Sequence, residues 1–163
     1  MGLARTEWAA VDLDAGGAWG EFERALDDKC RLVVPAELRE PLGPDVVLTR
    51  GPDAAILLFS TADWRRLERQ LLAAPPGAEA SLLQRMLFGR TLARLDRQHR
   101  VTLPPPLRHW AGLEPGAVAV VIGLGRKVEI WERGAWRRYA AGFTRERVAA
   151  AMQAAGLGEV WGL

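Results

Sequence analysis

The chain has 163 residues, 49% of them apolar, with 22 Lys and Arg against 20 Asp and Glu for a formal charge of +2. That size holds one good core or two small ones leaning on each other, and the apolar content argues against a disordered chain. No run approaches the roughly 20 apolar residues of a membrane helix, a lone cysteine (Cys30) excludes an internal disulfide, and two separated histidines leave no metal-ligand spacing.

In chain order, residues 1–19 show no clear period and read as an N-terminal arm. Alternation over 22–26 predicts a strand, 27–30 a turn, and 31–34 a second short strand stopped by Pro35. A helical turn at 36–40 precedes two apolar runs, 46–48 and 55–59, which predict strands joined through Gly51-Pro52-Asp53. Thr61-Ala62-Asp63 opens a helix to about Ala73 with Trp64, Leu67, Leu71 and Leu72 on one face, and Pro75-Pro76-Gly77 ends it. A linking helix covers 78–87 and stops at Gly89. Strands then follow at 90–95, 100–103, 118–122 and 128–131, with helices at 135–141 and 145–155.

Much of this is one pattern written twice. Leu26-Asp27-Asp28-Lys29-Cys30-Arg31-Leu32-Val33-Val34-Pro35 returns as Leu95-Asp96-Arg97-Gln98-His99-Arg100-Val101-Thr102-Leu103-Pro104, at an offset of 69, and Leu38-Arg39 returns as Leu107-Arg108. Phe59 to Leu67 aligns with Trp131 to Tyr139 at an offset of 72, so the second copy has gained three residues in a loop. The expected organisation is an arm (1–19), a first repeat with its helix (20–74), a linking helix (75–88), a second repeat with its helix (89–143), and a C-terminal helix and tail (144–163). Four short strands bury little surface alone, so the two copies should share a core in an α+β fold.

The shared chemistry is Asp-x-x-x-Arg at a strand-turn-strand junction: Asp27 with Arg31, and Asp96 with Arg100. Each carboxylate can accept backbone N–H groups and shape the turn, or pair directly with its arginine. Basic side chains gather around the second turn (Arg85, Arg90, Arg94, Arg97 and Arg100 against Asp96), a plausible phosphate-facing strip, whereas acidic neighbours dilute the first. All but Lys29 and Lys127 of the basic residues are arginine, which suits phosphate and guanine contacts but equally reflects a GC-rich coding sequence. Cys30 stands beside Lys29 and Arg31 without a catalytic partner; redox sensing, or a Cys30–His99 metal pair short of ligands, are its other readings. Trp64, Trp136 and Trp110 sit among apolar neighbours and read as packing residues.

Gly20, Phe22, Leu26, Asp27, Lys29, Arg31, Leu32, Val34, Pro35 and Arg39, followed by Gly89, Leu95, Asp96, Gln98, Arg100, Pro104, Leu107, Arg108, Ala111-Gly112-Leu113, Glu129-Ile130-Trp131 and Trp136, resemble the paired signatures of the MraZ family of bacterial transcriptional regulators. The resemblance implies two tandem swapped-hairpin units of the SpoVT/AbrB type in a pseudo-twofold small barrel with flanking helices. It implies a ring-like homo-oligomer that binds double-stranded DNA at direct repeats in the promoter of a division and cell-wall gene cluster, as a repressor. It places Lys29, Arg31 and Arg100 on the DNA-facing loops with Arg97 beside them, Asp27 and Asp96 shaping the turns. Cys30 and His99 replace a family glycine in each turn, where a positive φ or a close backbone approach would suit glycine, so a slightly altered turn is expected.

The expectation is therefore a non-enzymatic regulator without cofactor, metal, membrane or small-molecule substrate, cytoplasmic and nucleoid-associated. The rival reading is a protein-interaction module, antitoxin-like or a scaffold ring, without sequence-specific DNA binding. A disordered toxin-wrapping tail would favour it, and the helical pattern over 145–155 does not.

Overall fold

The computed structural model of the protein describes residues 16–162. The first half runs β1 (Ala18–Ala25), β2 (Arg31–Val33), α1 (Ala36–Leu42), β3 (Asp45–Arg50), β4 (Ile56–Ser60), α2 (Thr61–Ala73) and α3 (Ala78–Leu87). The second runs β5 (Thr91–Arg94), β6 (Arg100–Thr102), α4 (Pro105–Ala111), β7 (Val118–Gly125), β8 (Val128–Glu132), α5 (Arg133–Ala140) and α6 (Arg145–Ala154), then a 3-10 turn at Glu159–Trp161. Among the described residues, no helix is long and apolar enough to cross a membrane.

Six strands form one antiparallel sheet in the order β1-β7-β8-β4-β3-β5, and β2 with β6 forms a separate two-stranded ribbon. The pairing crosses between copies. β1 of the first copy bonds along its whole length to β7 of the second, from Ala18↔Gly125 to Ala25↔Val118. The equivalent strand of the second copy, β5, bonds to β3 of the first. The two copies also meet at β4·β8 and in the ribbon, where Arg31 faces Thr102 and Val33 faces Arg100. Among the described residues the ladder ends at β1 and β5, so the sheet has two edges there and does not close into a barrel by their strand pairing alone.

Alternation along the strands divides the apolar residues between two faces. On one face, Val46, Leu48, Ile56, Leu58, Ala119, Val121, Val128 and Ile130 pack with Leu32 and Val101 of the ribbon and Leu38 and Leu107 of the short helices. On the other, Leu57, Phe59 and Val47 are covered by Trp64 and Leu71 of α2 and Leu87 of α3, while Val120, Ile122 and Trp131 are covered by Trp136 of α5. Thr49, the buried polar residue of β3, donates its hydroxyl to the Leu87 carbonyl (2.8 Å) and ties down the end of α3.

Several boundaries differ from the sequence reading for physical reasons. β1 starts at Ala18, inside the expected arm, because Ala18 joins the core and pairs with Gly125; the rest of that arm, 1–15, lies outside the described residues. α4 follows Pro104 with prolines at its first positions, where a missing N–H costs no helical bond. Leu72 lies off the buried stripe of α2 and is exposed, and Trp110 is half-exposed with the Arg50 guanidinium 5.8 Å from its ring centroid.

Leu58 is fully buried where both halves meet, so Leu58→Ala should destabilise the fold by about 2–5 kcal/mol, while Leu72→Ala should change it by less than about 0.5 kcal/mol, both read from urea unfolding midpoints.

Candidate functional site

Each Asp-x-x-x-Arg segment closes on itself in the same way. The Asp27 carbonyl accepts from Cys30 N–H (3.0 Å), and Asp27 N–H donates to the Arg31 carbonyl (3.2 Å); the second copy repeats this with His99 to Asp96 (2.9 Å) and Asp96 to Arg100 (3.0 Å). The side chains add a second layer. Asp27 Oδ1 accepts from the backbone N–H of Lys29 (3.0 Å) and Arg31 (2.8 Å), and its Oδ2 accepts from Arg31 Nε (2.6 Å). Asp96 does the same with Gln98 N–H (2.8 Å), Arg100 N–H (2.9 Å) and Arg100 Nε (2.8 Å). The carboxylate therefore acts as turn acceptor and arginine partner at once. The backbone N–H of Arg31 first, then its guanidinium and the Lys29 N–H, hold the Asp27 carboxyl below the ordinary carboxylate range despite some desolvation. Arg100 N–H, the Arg100 guanidinium and Gln98 N–H do the same for Asp96.

The residue before each arginine is the geometric key. Cys30 has φ 53° and His99 φ 59°, the two non-glycine residues with positive φ among those described. An i to i+3 turn followed by a left-handed residue is a three-residue hairpin loop with a bulge, a position glycine fills without strain. Both turns hold this residue in the left-handed conformation although neither is glycine, and the side chains bear its cost. In that conformation the Cys30 carbonyl accepts from Leu103 N–H (3.0 Å) and the His99 carbonyl from Val34 N–H (2.9 Å), so each turn is bonded to the strand of the other copy.

The ribbon thus has an inner face, Leu32 and Val101, and an outer face, Arg31, Val33, Arg100 and Thr102, with Lys29 and Arg97 exposed at its two ends. The arginine side chains are about one quarter exposed, 26% for Arg31 and 23% for Arg100, held sideways by their aspartates and not enclosed in the core. Arg100 also lies 3.8 Å from Asp27, linking the two turns. Among the described residues, Lys29 and Arg97 make no ion pair, and the terminal nitrogens of Arg31 have no hydrogen-bond partner.

The wider basic strip breaks up. Arg94 makes a two-pronged pair with Asp45 (2.8 and 2.9 Å), Arg90 faces Glu68 (3.8 Å), and Arg85 bonds to Ser81 on its own helix. Sequence spacing did not show Asp45 and Glu68 as partners, since both belong to other elements. The two turns also differ in burial: Cys30 is in the core, whereas His99 is exposed. Among the described residues no group of three or more His, Cys, Asp or Glu could hold a metal.

The model of one family, described as "MraZ protein, putative antitoxin-like", matches the chain twice, over residues 18–84 and 86–157. The chain belongs to the MraZ family. It is 42% identical over 122 residues to a protein named transcriptional regulator MraZ from Heliobacterium modesticaldum, covering 74% of this chain and 84% of that one. Its namesake in Roseiflexus castenholzii is 44% identical over 120 residues (72% and 82%), and that of Thermus thermophilus 38% over 120 (72% and 83%). These names are those of regulators, not of enzymes.

A left-handed conformation carried by non-glycine residues has a measurable cost. His99→Gly should stabilise the fold by about 1 kcal/mol in urea titrations, because the exposed imidazole gives up left-handed strain and few contacts. Cys30→Gly should show no such gain, since its buried side chain leaves the core with it.

Because the Asp27 and Asp96 carboxyls titrate lower in the folded than in the unfolded chain, protons favour the unfolded chain as pH falls. Their stabilisation is complete above the unfolded carboxylate value, about pH 4, and disappears as pH drops through the folded values. Asp27→Asn and Asp96→Asn together should flatten the acid limb of a stability–pH curve and leave its slope above pH 6 unchanged.

Proposed function

We propose that the chain is a sequence-specific DNA-binding transcriptional regulator that meets the duplex with the outer face of its β2–β6 ribbon. The observation that carries this reading is the pair of guanidinium groups, Arg31 and Arg100, held by their Nε atoms on adjacent strands of one two-stranded ribbon. A two-stranded antiparallel ribbon fits the major groove, about 12 Å wide, and an arginine fixed at Nε keeps its terminal nitrogens for guanine or phosphate. Lys29 and Arg97 at the ribbon ends supply charge toward the flanking backbone, while Asp27 and Asp96 fix the arginines before DNA arrives. The names of the relatives support the same role.

The family resemblance extends this to a ring-like homo-oligomer repressing a division and cell-wall gene cluster through direct repeats, with two swapped-hairpin units of the SpoVT/AbrB type in each protomer. The crossed strand pairing supports the swapped units. Exposed apolar side chains at the edge strand and helices, Leu92, Tyr139 and Phe143 among them, support further contacts between copies. One ribbon offers few base contacts, and several on one assembly reach useful affinity by summing along repeats. A regulator of this kind works without a cofactor and in the cytoplasm on the nucleoid. The family's antitoxin-like description and the same exposed apolar side chains favour one rival, a module that acts by contacting a protein.

A gel shift on the DNA upstream of the protein's own gene, at fixed salt, decides between them. Arg31→Ala should weaken binding at least tenfold with the assembly unchanged by light scattering, and Arg31→Lys should not restore it. Lys29→Ala and Arg97→Ala should each lower the salt slope of binding by about 1. Wild-type affinity in all of these would move the DNA contact off the ribbon, and no shift by the unsubstituted protein would transfer the function to the protein-contacting reading.

A further inference from the structure

The outer face of the sheet carries an open groove of about 540 Å³ between β4, α2, α3 and the turn joining β7 to β8. Its floor is apolar, with Leu57, Phe59, Leu83 and Met86, and its rim is basic, with Arg66, Arg126 and Lys127. Asp63 is the acid of that rim, 3.4 Å from Arg126 and 3.9 Å from Arg66, which leaves the edge with two surplus positive charges. None of these residues belongs to the ribbon.

We infer that this groove receives residues 1–15 of the same chain. Three observations converge on that occupant. The first is position: β1 begins at Ala18, which pairs with Gly125, and the next two residues along that turn are the rim cations Arg126 and Lys127. The second is a path. Trp19 and Leu124 are cross-strand partners, 49% and 44% exposed, and they lie on the same face of the sheet as Leu57 and Phe59, so apolar surface runs from the start of β1 toward the groove. β4 is three strands from β1, about 14 Å at usual strand spacing, and fifteen residues span at most about 50 Å, so reach is ample.

The third is charge and composition. Residues 1–15 hold Glu7, Asp12 and Asp14 against Arg5, with Leu3, Trp8, Val11 and Leu13 as apolar side chains. An acidic segment with aliphatic and aromatic anchors complements an apolar floor under a basic rim. The family match begins at residue 18, so this segment stands outside what the family accounts for, and its docking is independent of the DNA reading.

The test replaces Trp8 with the photo-crosslinker p-benzoylphenylalanine in the full chain. Illumination should give adducts within one chain, running at monomer mass on a denaturing gel, that map to the peptides holding Leu83 and Met86 or Arg126 and Lys127. Asp12→Lys with Asp14→Lys should reduce that yield at least fivefold and speed amide exchange in α3 about tenfold. Adducts elsewhere, adducts only between chains, no adduct, or α3 exchange unchanged by the charge reversal would overturn the inference.

Discussion

Neither copy of the repeat completes its own sheet. Among the described residues β1 is bonded only to β7 and β5 only to β3, so the paired row of backbone groups on each first strand is satisfied by the other half of the chain. An unpaired strand over an apolar core would leave its N–H and C=O groups without partners and its core face open to water. The two halves are consequently one cooperative unit: Leu32 and Val101 pack side by side beneath the ribbon, and Ile56 and Ile130 face each other across β4·β8. Everything on the outer face of the ribbon is positioned by that mutual dependence.

Within this frame the turns translate local chemistry into a rigid surface. One carboxylate holds two backbone N–H groups and an arginine, while the left-handed residue before the arginine turns a carbonyl toward the opposite strand. Removing the carboxylate would loosen the arginine; removing the left-handed conformation would take away a bond between the copies. Equivalent devices recur away from the ribbon in different residues. Ser60 caps α2 by accepting from Asp63 N–H, and its counterpart Glu132 caps α5 by accepting from Gly134 and Ala135. The fold conserves the acceptor between its halves and not the side chain that supplies it.

The repeat was legible because spacing is a one-dimensional property: Asp27 to Pro35 and Asp96 to Pro104 align without any knowledge of contacts. The helices 61–73 and 78–87 were legible for a related reason, with a hydroxyl cap and proline or glycine punctuation at their ends. What spacing cannot carry is which strand meets which. The exchange of β1 and β5 between copies, the extension of β1 back to Ala18, and the withdrawal of Arg94 and Arg90 to Asp45 and Glu68 all depend on contacts distant in sequence. The turn chemistry fell between these cases. Asp27 and Asp96 were visible as acceptors for their own turns or partners for their own arginines, but only coordinates show one carboxylate doing both, and only they separate a buried Cys30 from an exposed His99.

That separation has a further meaning. At one end of the ribbon stand Asp28 and Lys29 over a buried thiol; at the other stand Arg97 and Gln98 beside an imidazole in solvent. A symmetric dimer of identical chains would present the same tip twice and could not tell its left from its right. Joining the halves covalently lets each tip carry its own residues, so the ribbon has a polarity, and a surface recognised by it is recognised in one orientation.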